Sequence, residues 1–534
     1  MRAENRSGAG FPVHPLVLAV YPSLALYGLN PAETSPLEIV RSVTLSGALA
    51  LLLWGLFYVM NRDGRRSALF TSCWVLAFFF WGPCSPTVLW ILGREDHGMA
   101  LPLYLFPFVV GSLTIRKVKS LRGLTQAANV FTASLLAATL VPSLGSRAAW
   151  SGFQLSGLTG VSAGKHEASS TYPLPNGRPD VFFLVLDGYG RSDTLKRLYS
   201  LDNRPFLDEM ARRGFWTAER SRSNYSQTLL SLTSCLNFQY LQGMDLPDVS
   251  SSSKRLAAML LLRNNRIFRE FRGMGYHIIS LQSAYAVSDM APFVDQYVPD
   301  PWALSEFENV LLSMTLLHPL TESLGLYPQY DQHRRSAVRF LDQLGSMGAP
   351  VSDRPRFVFA HACLPHPPFV WGKDGEAVNP SWPLNLFDGS FFYGKTEDYR
   401  QGYGNQLQAL NGFILSTTDK LLKEAGPNSI IIILSDHGPG SHLDWKNPKQ
   451  VDYSERFQNL ILLRIPGMEP GSLRPDMTPV NLFRLILNER FGRSLPLLED
   501  RSYHSTWEQP FEFLPVGSLD QDSIRQEETL RTME

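Results

Sequence analysis

The chain has 534 residues, with 49 Lys and Arg against 49 Asp and Glu, so its formal net charge is zero. No basic surplus marks it as a partner of nucleic acid. Charged residues make up only 18%, below the roughly 25% usual in soluble proteins, while aromatics reach 12%, a balance that suits a chain partly seated in lipid. At about 100–200 residues per domain, the length allows roughly two to four domains.

Apolar stretches crowd the N-terminal part, and five spans are predicted there. They run from about Val13 to Leu29, Ile39 to Met60, Ala68 to Leu92, Leu101 to Ile115 and Ala128 to Leu144. A crossing helix needs about 20 mostly apolar residues, range about 17–25. The second and third segments meet this, although Gly82 and Pro83 interrupt the third. The first and fifth are marginal, and the fourth is short enough to be re-entrant instead. Arg62, Arg65 and Arg66 follow span two, and Arg116, Lys117, Lys119 and Arg122 follow span four. The connection NPAETSP after span one has no Lys or Arg, and the one after span three has only Arg94. Basic connections stay cytoplasmic. The N-terminus, with Arg2 and Arg6, is then cytoplasmic too, and five crossings put everything after Leu144 outside. Charged residues are essentially absent from the spans, which argues against a transport path.

The predicted organisation is a membrane domain over 1–144, a linker over 145–178, an external domain over 179–516 and a disordered tail over 517–534. The linker contains SGLTGVSAGKHEASSTYPLPNG, rich in small and turn-forming residues. In the external domain, short continuous apolar runs recur: VFFLVLD (181–187), YHIISL (276–281), RFVFAH (356–361), IIIILSD (430–436) and LILLRIPG (460–467). Runs of this kind read as strands buried on both faces. Helix-like stretches such as Pro205 to Arg213 and Gln406 to Lys423 lie between them. The fold class expected is therefore an N-terminal transmembrane helical bundle plus a C-terminal α/β domain, its mostly parallel central sheet flanked by helices. In such sheets ligands bind at the carboxyl ends of the strands.

Three of the predicted strands end in metal-ligand types. The first ends in Asp187. IIIILSD ends in Asp436, followed by His437. RFVFAH ends in His361, with His366 five residues on. Carboxylate oxygen and imidazole nitrogen suit Zn²⁺ or Mn²⁺. Taken singly, an Asp after a strand is an ordinary turn residue; the signal is their co-occurrence. In SNYSQTLLSLTSC (223–235) a polar loop runs into a helix-like stretch, with Thr228 at or near its N-cap. Two readings stay open for Thr228. It is a helix cap, or it is a nucleophile beside a metal at a helix N-terminus that favours phosphate. Ser226, two residues away, is the fallback nucleophile.

These motifs resemble the alkaline phosphatase/sulfatase superfamily, and within it the membrane-anchored sulfatase-like transferases, namely phosphoethanolamine transferases and lipoteichoic acid synthases. Asp187 in VLDGYG matches the acidic ligand after the first strand, where those transferases usually carry Glu. Thr228 lies 41 residues later, and TLLSL is similar to the pattern around their threonine nucleophile. Ser435-Asp436-His437-Gly438 matches the family's Ser-Asp-His-Gly motif. HACLPHPPF resembles the His-x4-His element on the substrate side, and NRPFLDEMARRGFW (203–216) looks like the helix after the first strand. A sulfatase Cys/Ser-x-Pro-x-Arg signature is absent. The nearest match to the family's further histidine is His442.

The resemblance implies an alkaline phosphatase-like domain whose metal is held by Asp187, Thr228, Asp436 and His437. It implies Thr228 and His366 as the catalytic pair, and His361, His366 and His442 as residues toward a second metal or the substrate. One divalent metal is expected, Zn²⁺ or Mn²⁺, with a second allowed. The external cysteines Cys235 and Cys363 flank motif segments, so one bridge between them is conceivable; Cys73 and Cys84 read as inert buried thiols. The implied function is a phosphoryl or phospho-head-group transferase at the outer face of the cytoplasmic membrane, using membrane lipids with a phospholipid or envelope-glycan substrate. A phosphodiesterase or phosphatase that only hydrolyses, and a catalytically degenerate binding domain, are the alternatives.

Overall fold

Apolar stretches in the N-terminal part satisfy their backbone groups internally, and they fold as helices. A computed structural model of the chain describes residues 11–29, 36–92, 97–140, 178–244, 246, 251–291, 293–324, 326–349, 354–380, 384–468 and 470–517. Arg2 and Arg6, the connections at 30–35 and 93–96, the end of the fifth expected span, and all but the last residue of the expected linker lie outside the described residues, as does the expected tail beyond 517.

The chain divides into two compact units, 1–168 with 304–329, and 169–303 with 330–534. The expected boundaries were linear, so the surprise is the excursion: residues 304–329, from within the expected external domain, belong to the first unit.

In the first unit, helices cover His14–Leu29, Pro36–Asn61, Gly64–Phe79, Trp81–Leu92 and His97–Lys117, with a further one over 122–140. The described part of each expected span is mostly helical, the third being broken at Phe80. By length and composition, however, only Ile39–Asn61 suits a full crossing among the described residues, or two spans if the pair Gly64–Phe79 and Trp81–Leu92, bent by 68°, counts as one. Asp63 caps the third helix, its side chain accepting from the backbone N–H of Arg65 and Arg66 at 2.9 and 3.0 Å, which satisfies donors the helix itself leaves open. The excursion is built in by its own contacts. Gly82 donates its N–H to the Met314 carbonyl at 2.8 Å, so close that a Cβ there would lie 2.7 Å from Met314 Cα. Leu316 joins a core of Ala77, Trp81, Ala100 and Tyr104. Arg41, the charged residue of the expected second span, is paired with Glu308 through two guanidinium nitrogens.

The second unit is organised by a seven-stranded sheet. Its strands are β1 (Val181–Leu186), β2 (Trp216–Thr217), β3 (His277–Leu281), β4 (Gln296–Val298), β5 (Arg356–Ala362), β6 (Ile430–Ser435) and β7 (Ile461–Arg464). Their order is β2-β7-β6-β1-β5-β3-β4. All five apolar runs read from the sequence are strands. β1 is parallel to both β5 and β6, and β3 is parallel to β5 and β4, whereas β7 runs antiparallel to β6 and carries β2 at its edge. β2 and β4 are too short for any period to be visible in sequence. The central strands are buried along their whole length, with Phe183, Phe357 and Phe359 packed against Phe268, Phe271 and Phe483 from flanking helices. Each such ring contributes about 1.5–3 kcal/mol by leaving water.

The register decides where chemistry sits. Leu186, the last residue of β1, pairs with Ala362 on one side and Ser435 on the other. The residues that follow, Asp187, Cys363 and Asp436, therefore emerge together at the carboxyl edge of three adjacent parallel strands.

Candidate metal centre and active site

Asp187, Asp436 and His437 bring one ligand atom each to within 4.8 Å of one another, and all three are buried. His437 Nε2 lies 3.2 Å from Asp436 Oδ2 and 3.6 Å from Asp187 Oδ1. The ring is oriented from behind, because Nδ1 sits 2.9 Å from the Gly438 carbonyl. A carbonyl can only accept, so Nδ1 carries the proton and Nε2 presents its lone pair to the carboxylates. Asp436 Oδ1 is held by the N–H groups of Gly188 and His437 at 3.2 and 3.0 Å. Asp187 Oδ1 and Asp436 Oδ2 have no hydrogen-bond partner although both are buried. Unsatisfied buried carboxylate oxygens are costly, and a divalent cation between them removes that cost. The donor set, carboxylate oxygen with imidazole nitrogen, suits zinc or manganese.

Burial by itself pushes the Asp187 carboxyl up, but the nearby His366, His361 and His437 outweigh it and hold this group below the usual carboxylate range. Burial, with Arg456 beside it, moves His437 below its ordinary value. Both shifts favour the forms that bind a metal: an anionic carboxylate and a neutral imidazole.

Thr228 opens the helix Thr228–Asn237, one residue inside its N-cap, which is Gln227. Its hydroxyl lies 3.1 Å from His437 Nε2. The helix is tied to the ligand loop by Ser231, whose hydroxyl donates to the Asp436 carbonyl at 2.7 Å. Ser226 is fully buried, its hydroxyl without a hydrogen bond, and its carbonyl accepts from Arg456 Nε at 2.8 Å. Gly438 must be glycine, since a Cβ there would fall 2.1 Å from the Glu455 carbonyl oxygen.

The remaining expected residues separate into two places. His366 faces the site, with Nε2 3.8 Å from Asp388 Oδ2 and Nδ1 2.8 Å from the Pro367 carbonyl. Burial pulls its pKa down, but Asp187 and Asp388 outweigh this and raise it. His361, the residue before the end of β5, has Nε2 3.6 Å from Asp187 Oδ2. His442 stands apart: its ring contacts Glu455 and Arg400, at 3.3 and 3.0 Å, and joins neither group of clustered ligands. No disulfide links Cys235 and Cys363, so the conceivable bridge is not formed.

Sequence reading missed Asp388 and Arg456, which lie in NLFDGS and YSERFQ, segments with no motif to flag them. Both are buried. Arg456 Nη1 donates to Asp388 Oδ2 at 2.7 Å, and its Nη2 comes within 3.1 Å of His437 Nε2. Tyr399 donates to the other Asp388 oxygen at 2.7 Å. Asp388 is pushed up by burial, yet Arg456 and His366 hold it below its ordinary value.

The sulfatase family model matches residues 179–488, well over half of the chain. The chain belongs to the sulfatase family. Enzymes of that family are built around a divalent metal, which agrees with the orphaned oxygens above. Among curated proteins, none matches the chain. Solved structures similar to it include the zinc complex of the periplasmic domain of EcEptC from Escherichia coli, at 12% identity over 64% of this chain and 93% of that one, with a TM-score of 0.39. The integral membrane lipooligosaccharide phosphoethanolamine transferase A of Neisseria meningitidis is similar at 13% identity over 90% of this chain and 94% of that one, TM-score 0.35. The phosphonate monoester hydrolase of Agrobacterium radiobacter is similar at 16% identity over 61% and 80%, TM-score 0.38. At such low identity and score, the chemistry of this sulfatase-family chain has to be argued from its own residues.

Proposed function

We propose that this chain is a metal-dependent phosphoryl or phospho-head-group transferase that works through Thr228 as nucleophile. The observation that carries this reading is the Thr228 hydroxyl, 3.1 Å from His437 Nε2, at a helix N-terminus and beside two carboxylates with orphaned oxygens. Asp187, Asp436 and His437 would hold the divalent cation, with Thr228 completing the set. Bound there, the cation lowers the pKa of a neighbouring hydroxyl and polarises a phosphoryl oxygen. The helix N-terminus adds N–H groups for the phosphate.

In the proposed reaction the Thr228 oxygen attacks phosphorus as its proton passes to solvent water. A P–O bond forms to Thr228, and the bond from phosphorus to the leaving group breaks. His366, whose neighbours Asp187 and Asp388 favour its charged form, protonates the departing oxygen. Arg456, held by Asp388, balances charge on the transferring oxygens. An acceptor hydroxyl or water then attacks the phosphothreonine, giving its proton to the now neutral His366, and the Thr228 oxygen departs and takes up a proton from solvent. With water as acceptor the enzyme is a phosphodiesterase or phosphatase, and this second reading shares every residue.

The apolar helices of the first unit support an integral membrane protein. We place the catalytic unit on the outer face of the cytoplasmic membrane, from the basic connections at Arg62, Arg65, Arg66 and at Arg116, Lys117, Lys119, Arg122. A membrane-held phosphotransferase finds phospholipid head groups as donors and envelope lipids or glycans as acceptors.

The test uses the full chain in detergent, a chromogenic phosphodiester, and Zn²⁺ or Mn²⁺. Cleavage that needs the metal and disappears in Thr228→Ala is the expected result. Full activity in Thr228→Ala overturns the threonine mechanism and turns attention to Ser226. Adding lipid or glycan acceptors, and following whether they take up the phosphoryl group at the expense of hydrolysis, separates transferase from hydrolase.

A further inference from the structure

The segment 219–224 reads ERSRSN, and its burial alternates. Ser221 and Ser223 are fully buried, whereas Arg220 is exposed and Arg222 half-buried. The serines are fastened on the inside. Ser221 Oγ donates to the Asn459 carbonyl at 2.5 Å, and the Ser223 N–H donates to the Phe457 carbonyl at 2.7 Å. Both arginines line one cavity of about 470 Å³, together with Arg191 and Arg474. The Arg220 N–H donates to the Pro475 carbonyl at 2.8 Å, which ties the two basic segments together. We propose that this cavity is a binding site for a terminal phosphate group, held by the guanidinium groups of Arg220 and Arg222. Such a site needs no metal and none of Asp187, Asp436 or His437.

The charges around the cavity are matched except at those two residues. Arg191 is paired with Asp193 through Nε and Nη2, at 2.8 and 2.7 Å. Arg474 lies 2.8 Å from an Asp500 oxygen and 3.4 Å from an Asp476 oxygen. Asp500 also accepts from the Thr478 hydroxyl and the Asn481 amide, and Glu499 pairs with Arg501. Arg220 and Arg222 pair with no carboxylate among the described residues. Arg222 Nη2 donates to the Asp500 carbonyl at 3.0 Å, but its Nε is buried without a hydrogen bond. A buried, unsatisfied donor on a charged group is costly, and a ligand oxygen placed there removes that cost.

Two uncompensated guanidinium groups select the ligand. A phosphate monoester carries a charge of about −1.5 to −2 at pH 7. Its free oxygens match the planar guanidinium fork, which donates two parallel hydrogen bonds to one phosphate. Leu498 is the one apolar residue lining the cavity, so an acyl chain finds no wall to pack against. The volume falls within the roughly 300–1,000 Å³ of small-molecule sites. That is more than a bare phosphate fills, so a phosphate carried on glycerol or a sugar also fits.

The test is equilibrium dialysis of the full chain in detergent against radiolabelled inorganic phosphate, with EDTA present to empty the metal centre. Saturable binding is expected, kept in Thr228→Ala and weakened about tenfold or more in Arg220→Gln and in Arg222→Gln. If Arg222→Gln fails to fold, the exposed Arg220→Gln still decides. Competitors then identify the source of the phosphate. Displacement by phosphatidic acid in mixed micelles, and not by soluble glycerol phosphate, marks a lipid head group; the reverse marks a soluble ester, and displacement by neither marks the free ion. Binding that is unchanged in Arg220→Gln, or that is lost in Thr228→Ala, puts the phosphate at the catalytic centre and overturns the site. Equal weakening in Arg204→Gln, an exposed arginine outside the cavity, shows general charge at work and overturns it too, as does the absence of saturable binding. None of these results bears on the metal reading, which metal content and phosphodiester cleavage test separately.

Discussion

The Thr228 hydroxyl sits 3.1 Å from Nε2 of His437 although the two residues are 209 positions apart in the chain. The contact exists because the helix that Thr228 opens is stitched to the ligand loop by Ser231 and the Asp436 carbonyl. A hydroxyl, an imidazole lone pair and two carboxylates thereby converge at one strand edge.

That convergence makes the two metal-facing carboxylates separable from the hydroxyl. Asp187→Asn and Asp436→Asn are expected to lose tight metal binding and to lower activity by about a hundredfold or more, since a ligand has become a neutral amide. Metal content measured beside activity checks this: inactive protein with full metal content contradicts it.

Thr228→Ser offers a milder test than alanine. It keeps the oxygen and removes a methyl group, so it is expected to retain measurable activity, whereas Thr228→Ala falls to background. Mass spectrometry of acid-quenched reactions should find phosphate on residue 228 in both the wild type and Thr228→Ser. Equal activity in Thr228→Ala and the wild type would refute the role.

Breaking the Asp388–Arg456 pair leaves a charge buried without its partner. Asp388→Ala is expected to destabilise the protein by about 3–5 kcal/mol, read as a shift in the urea midpoint. Its loss also removes an anion that raises the pKa of His366. If protonated His366 supplies the leaving-group proton, activity falls as pH rises through its pKa. In the milder Asp388→Asn, that alkaline limb should move to lower pH.

His504 is buried against Tyr453, and neither ring nitrogen has a hydrogen bond. Burial, with a smaller push from Arg456, lowers its pKa to about 4 from an ordinary 6.5. A histidine with a depressed folded value binds its proton more readily when unfolded. Its contribution to stability is therefore present above pH 6.5, and is lost as pH falls from there to about 4. The full loss is on the order of 3 kcal/mol. His504→Phe should flatten this part of the pH–stability curve; an unchanged slope would show that other groups control acid lability.

Gly438→Ala should be among the most damaging small substitutions. A methyl group 2.1 Å from the Glu455 carbonyl forces the loop after Asp436 and His437 to move. Loss of metal binding together with a lowered melting temperature is the expected pair of readouts.

Much of this protein was legible in its sequence because the signals are local. The strands β1, β3, β5, β6 and β7 are continuous apolar runs, and a run of that kind buries itself wherever the chain ends up. Asp187, Asp436, His437 and His361 were visible because each terminates or follows such a run, where a parallel sheet collects ligands. The helical character of the N-terminal part followed from apolar length in the same way. Tertiary structure alone decided the rest. Asp388 and Arg456 carry no local signal; they meet across 68 residues through a single buried ion pair. The antiparallel β7, and the placing of 304–329 in the first unit, depend on which backbone groups and apolar faces remain open once the central strands have paired. The two-sided aim of Asp187 is a matter of register: Leu186 pairs at once with Ala362 and Ser435, and no pattern along one strand can say which two others will lie beside it.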